Sequence, residues 1–148
     1  MQNAFDHYPV LMAVGIGAVA LIIVSVTISA IGGWMTLAKK YRHCGEFKGE
    51  QWGSQSGDMR FIAGYRNGLN LGVNEKGLYL STILPFRIAH PPLFIPWTEV
   101  SVEWKKTASS WPGVKLILDR ESNVPLWINE KLAVELKRTA GNSWPESF

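Results

Sequence analysis

Between Asp6 and Lys39 the chain carries no Asp, Glu, Lys or Arg, an uncharged run of 32 positions, 7–38. A helix at the surface of a soluble domain must turn a polar face to water, and this run offers none over most of its length. Positions 10–37 read VLMAVGIGAVALIIVSVTISAIGGWMTL. A bilayer's hydrocarbon core, ~30 Å thick, needs about 20 helical residues at ~1.5 Å each. The stretch can therefore span, with residues left over for tilt or for the interface. A buried core helix is the soluble alternative, but the rest of a 148-residue chain could not wrap it on all faces. A cleaved signal peptide would want a basic leader and a shorter apolar core, whereas MQNAFDH has no Lys or Arg. Ile28-Ser29-Ala30 is also a poor cleavage site. The sequence predicts an uncleaved transmembrane helix at 10–37 after a short extracytoplasmic N-terminus, 1–9.

All 15 Lys and Arg lie from Lys39 onward, against 11 of the 12 acids, so that part carries 15 − 11 = +4. Lys39, Lys40 and Arg42 directly follow the apolar run, and positive charge at a helix end holds that end in the cytoplasm. The expected localisation is a single-pass protein of the cell (inner) membrane, N-terminus outside and C-terminal domain cytoplasmic. Trp34 and Tyr41 bracket the basic end as interfacial anchors do, so Trp34, Lys39, Lys40, Tyr41 and Arg42 form the expected membrane-interface set. The lone Cys44 excludes an intrachain disulfide and suits a reducing compartment. Ser25, Ser29 and Gly33 form a row of small residues four apart, with Ala13 and Gly17 further out. Such rows let a second helix approach closely, though small residues are also common in membrane helices generally.

Beyond the basic residues, 38–53 reads as a polar juxtamembrane tether. From 54 the pattern changes to short alternating segments, the mark of half-buried strands. Seven are expected: 54–62, 69–73, 78–81, 93–95, 100–105, 114–118 and 124–128. Gly64-Tyr65-Arg66-Asn67-Gly68 reads as the turn between the first two. Asn74-Glu75-Lys76-Gly77 reads as the next, with Gly77 available for positive φ. Trp104, alternating with polar neighbours, is expected in the core, as are Trp97 and Trp111. A helix follows, with Asn129 as N-cap, Leu132, Ala133, Leu136 and Ala140 on one side, Lys137 and Arg138 in the last turn, and Gly141 beyond. Residues 142–148 are expected to form a loose tail.

Seven short strands closed by one amphipathic helix describe a small mainly-β (α+β) domain over 54–141. The stretches GLYLS at 77–81 and PLFIPWTEV at 92–100 are similar to those of membrane-anchored bacterial proteins with pleckstrin-homology-like (PH-like) or GRAM-like domains. The resemblance covers most of 48–141. It implies a bent seven-stranded barrel plugged by the C-terminal helix, with the Ile95-Pro96-Trp97 step leading into the fifth strand. An OB or SH3-like barrel is the structural alternative.

The chain offers little reaction chemistry. His7, His43 and His90 are scattered, and with one Cys they make no metal-ligand spacing. No Gly-rich phosphate loop or nucleophile elbow occurs. Glu99 and Glu103 are expected to share an outward strand face. The expectation is a non-enzyme without cofactor or metal. Arg60, Arg66, Arg87, His90, Lys105 and Lys106 fall at or near loops, and Arg60, Arg66, Arg87, Lys105 and Lys106 are candidates for ligand or headgroup contact. PH-type phosphoinositide binders cluster basic residues in the first hairpin loop. Only Arg60 and Arg66 lie near it here, so a general attraction to anionic headgroups, about 1 kcal/mol per basic residue, is the simpler expectation. A charge of +4 makes no nucleic-acid stripe. The functional expectation is a membrane-anchored binding or scaffolding module. The alternative is an accessory single-helix subunit of a larger respiratory, photosynthetic or transport complex. The expected partners are the lipid bilayer and other membrane-protein subunits.

Overall fold

A single glycine divides the apolar run. Gly33 has φ +91°, in the left-handed region open to glycine, and a Cβ there would stand 3.0 Å from Val124 Cγ1. Before it runs α1 (Tyr8–Gly32), long and apolar enough to cross a bilayer, with a mean hydropathy of 2.6. After it comes α2 (Trp34–Tyr41). The computed structural model describes residues 8–60, 63–84, 86–105 and 113–145, with only the backbone described at Ala63 and Lys105.

In α2 the apolar positions Trp34, Leu37, Ala38 and Tyr41 repeat at i, i+3, i+4 and i+7, a stripe for one helix face. Trp34 and Leu37 are fully buried in the domain core, and Ala38 and Tyr41 pack against it. The helix expected over 10–37 therefore ends at Gly32, and its last apolar residues belong to the domain.

Among the described residues seven strands follow, as expected in number: β1 (Glu50–Met59), β2 (Ala63–Val73), β3 (Gly77–Thr82), β4 (Leu93–Pro96), β5 (Val100–Lys105), β6 (Gly113–Leu118) and β7 (Val124–Asn129). They form one antiparallel sheet ordered β4-β3-β2-β1-β7-β6-β5, rolled into a nearly closed barrel. Strand β1 makes the roll. It pairs with β2 along its length but with β7 only through Gly57, Asp58 and Met59. Two register irregularities between Trp52 and Gly57, with Ser54 at φ +53°, accompany this change of partners. Extra residues of this kind bend a strand and increase its twist.

Between α2 and β4 three further expectations need correction. The turn expected at 64–68 lies inside β2, where Gly64 and Tyr65 pair with Asp58 and Gly57. Tyr65 is buried, so its cross-strand and core contacts override the turn chemistry of its neighbours. Gly77 is not at positive φ. Its turn closes through Asn74 Oδ1, which accepts from the amides of Lys76 (2.8 Å) and Gly77 (3.1 Å), and glycine is needed because a Cβ would collide with the Ile95 carbonyl. The expected tether is laid on the barrel: His43 N donates to Pro92 O (2.8 Å) and Phe47 stacks on Tyr79, ring centroids 4.6 Å apart.

The terminal helix, α3 (Glu130–Ala140), begins where expected, with Asn129 Oδ1 accepting from Leu132 N at 2.7 Å. It buries Leu132, Ala133, Leu136 and Ala140 against the barrel. The two leucines contribute roughly 1.5–3 kcal/mol each by burial. Gly141, at φ +57°, follows the last turn. Part of the expected loose tail is packed, since Trp144 is buried against Trp97, centroids 5.6 Å apart. Trp97 is in the core as expected, and its Nε1 donates to Asn74 O at 2.9 Å. Trp104 is not. It shares a face with buried Val100 and Val102 but stands near the end of β5, 39% exposed, with Lys137 Nζ 5.7 Å from its ring centroid. Trp111 lies outside the described residues, as do 1–7 and 146–148.

Candidate functional site

Among the described residues, α1 meets the rest of the chain through side-chain hydrogen bonds at its C-terminal turns. The chain from β3 to β4 climbs alongside α1 through a 3-10 turn, Phe86–Ile88, and four side chains hold it there. Ser25 Oγ donates to Phe86 O (3.2 Å), Ser29 Oγ to Ala89 O (2.6 Å) and Trp34 Nε1 to Pro91 O (2.9 Å). His90, fully buried, is the fourth. Its Nδ1 lies 2.8 Å from Phe86 O, which can only accept, so Nδ1 carries the proton and Nε2 accepts from the Tyr65 hydroxyl at 2.9 Å. Burial pushes the His90 pKa below its ordinary value and the Tyr65 pKa above its own, which suits this neutral pair. Trp34 packs its ring against both, centroids 5.1 Å from His90 and 5.8 Å from Tyr65.

A second junction ties α2 to the β6–β7 turn. Asp119, at φ +64°, accepts from Tyr41 OH (2.7 Å), Ser122 N (3.0 Å), Ser122 Oγ (2.5 Å) and Lys40 Nζ (3.2 Å). Burial alone would raise the Asp119 carboxyl, but these donors outweigh it and hold it well below the usual carboxylate range. Lys40 also pairs with Glu121, which with Asp119 raises its own pKa.

The residues singled out from sequence therefore part company. Ser25 and Ser29 face the protein's own β3–β4 segment, and Gly33 sits beneath Val124 and Arg60. A second helix could reach this row only by displacing the barrel. Of the expected interface set, Trp34 is core, Tyr41 and Lys40 are engaged by Asp119, and Lys39 and Arg42 are exposed. Arg60 approaches the end of α1, its Nη1 3.5 Å from Ile31 O. Arg87 is exposed on the 3-10 turn beside α1, and Arg66 is exposed on β2. Lys105 ends β5, an edge strand in the sheet order, and Lys106 lies outside the described residues.

His90, Tyr65 and Asp119 were not legible as a site. His90 reads as one more loop cation, and only the fold turns it inward. The expected shared face of Glu99 and Glu103 also dissolves. Glu99 sits in a 3-10 turn, where its carboxylate accepts from Arg120 N, while Glu103 lies 3.4 Å from Lys115 Nζ on β6. The buried apolar side chains of the strands, α2 and α3 form one core cluster. A surface depression of about 140 Å³ lined by Glu99, Ser101, Ile117, Arg120 and Asn123 is well below the ~300 Å³ of a small-molecule site. Among the described residues no three His, Cys, Asp or Glu side chains gather where they could hold a metal ion. The arrangement can support a barrel on a helix. No family model matches this chain, nor does any curated protein or solved structure.

Proposed function

We propose that the protein is a single-pass membrane protein whose apolar helix mounts a non-catalytic, PH-like binding or scaffolding domain at the cytoplasmic face of the cell membrane. One observation carries the reading. Every residue from 8 to 24 is exposed on all sides of α1, whereas in the following turns one face, Ser25, Ile28, Ser29 and Gly32, is covered by the rest of the chain. An apolar cylinder with nothing against it needs a non-aqueous surrounding, and lipid provides one. The polar junctions then hold the domain at a fixed distance from that surrounding. The PH-like assignment rests on the seven-strand meander, its closure by α3 and the Pro96-Trp97 step into β5.

Topology is the decisive test. Cys44 is the lone cysteine and is exposed, so an impermeant maleimide applied to intact cells should fail to label it and should succeed after lysis. Labelling from outside would reverse the orientation. Replacing Lys39 and Arg42 by neutral residues should weaken the preference. The alternative reading, an accessory subunit of a larger complex, drew on the Ser25, Ser29, Gly33 row, which the barrel occupies. Purification in mild detergent without fixed partners supports the free module, and stoichiometric co-purification the subunit.

A further inference from the structure

Outside α1, six large apolar side chains among the described residues are exposed, and three of them, Ile83, Leu84 and Ile88, stand on one short segment between β3 and β4. Leu84 is 70% and Ile88 64% exposed, more than any of the others outside α1. The same segment runs beside α1, joined to it through Phe86 and Ala89. We infer that Ile83, Leu84 and the Phe86–Ile88 turn form a membrane wedge, seated in the bilayer boundary with Leu84 and Ile88 among the acyl chains and Arg87 at the headgroups.

The freely exposed part of α1, residues 8–24, is 17 residues or about 25 Å long. Asp6 and His7 precede it, which places the far boundary of the hydrocarbon near Tyr8. A core of ~30 Å then extends about 5 Å past Val24, three residues further, to the level of Ser25–Ile28. That is the level at which Ser25 meets Phe86, so the turn bearing Leu84 and Ile88 reaches the hydrocarbon edge. Tilting α1 shortens its projection and sinks the segment deeper. Arg60, beside Ile31 two turns beyond Ser25, falls in the headgroup layer, where a guanidinium is favoured. The lipid surface is thus continuous with the one α1 occupies, and no second protein is required to cover these side chains.

The inference rests on the anchoring reading, and one experiment separates their failures. In a Cys44→Ser background, the full chain carries a single cysteine at Ile16, Leu84, Ile88 or Glu75, the last exposed in the β2–β3 turn. Each is labelled with an environment-sensitive fluorophore and reconstituted into phosphatidylcholine–phosphatidylglycerol vesicles bearing nitroxides at shallow and deep chain positions. Probes at Leu84 and Ile88 should shift to the blue and lose most of their emission to the shallow nitroxide. The Ile16 probe should respond to the deep one, and the Glu75 probe to neither. Quenching at Ile16 with none at Leu84 and Ile88 overturns the wedge and leaves the anchor standing. No quenching at Ile16 overturns both. Leu84 and Ile88 protected from lipid in native membranes, but crosslinking there to one protein, would give the face to a protein partner and refute the proposal.

Discussion

Trp34 separates two ways of reading the same residue, as an interfacial anchor or as part of the barrel core. The structure gives it no exposed surface, a hydrogen bond to Pro91 O at 2.9 Å, and ring contacts with Tyr65 and His90. A buried Trp removes roughly 150–250 Å² from water, worth about 4–6 kcal/mol at ~25 cal/mol per Å². Trp→Ala changes in cores cost ~3–5 kcal/mol once the surroundings relax. Trp34→Ala should therefore take away about a fifth or more of a domain stability on the order of 5–15 kcal/mol. At roughly 4–8 °C per kcal/mol for a domain this size, the midpoint should fall by more than ~12 °C. Trp34→Phe keeps most of the ring and leaves the Pro91 carbonyl without its donor, so it should cost only ~1–3 kcal/mol. The assay is unfolding of the full chain in lipid nanodiscs, followed by emission of the remaining six of seven Trp. An anchor at the interface would cost under ~0.5 kcal/mol on truncation, as surface changes do. An unchanged midpoint for Trp34→Ala, or quenching of Trp34 by brominated lipid, would refute the core assignment and with it the break at Gly33.

Ser29→Leu should strain the α1–barrel junction by ~1–3 kcal/mol, because Ser29 has no exposed surface and sits on Ala89. Faster amide exchange at 86–91 would report it, whereas Leu21→Val, on the exposed part of α1, should change nothing there. Leu136→Asp places a charge on the face of α3 that closes the barrel and should cost several kcal/mol, read as loss of the unfolding transition. His90 has a lowered pKa in the folded state, so the unfolded chain binds more protons below about pH 6.5. Its contribution is full above that value and is lost as pH falls below it. Asp119, also lowered, adds a further loss below about pH 4. Denaturation midpoints should fall between pH 7 and pH 5 in the wild type and less so in His90→Gln.

The charge-free run, the period-two strands and the capped terminal helix are local patterns, and each was legible because water and backbone geometry alone enforce it. Asn129, Leu132, Ala133, Leu136 and Ala140 do in the fold what their spacing predicts. The end of the apolar helix was not legible. Trp34, Leu37, Ala38 and Tyr41 carry an amphipathic stripe, but it adjoins a segment just as apolar, and hydropathy cannot tell lipid from a barrel interior as the medium that receives a side chain. The same ambiguity hid the role of Ser25 and Ser29, whose smallness suits a second helix and a loop carbonyl equally. It also hid His90, a cation by type that becomes a neutral core residue through Tyr65 and Phe86. Leu84 and Ile88 went the other way, apolar residues left outside because the β3–β4 chain must pass beside α1. Composition determined that one part of the chain avoids water and another folds into strands. Where the boundary between them falls depended on long-range contacts, because a backbone free to turn at Gly33 can deliver the same side chains to either side.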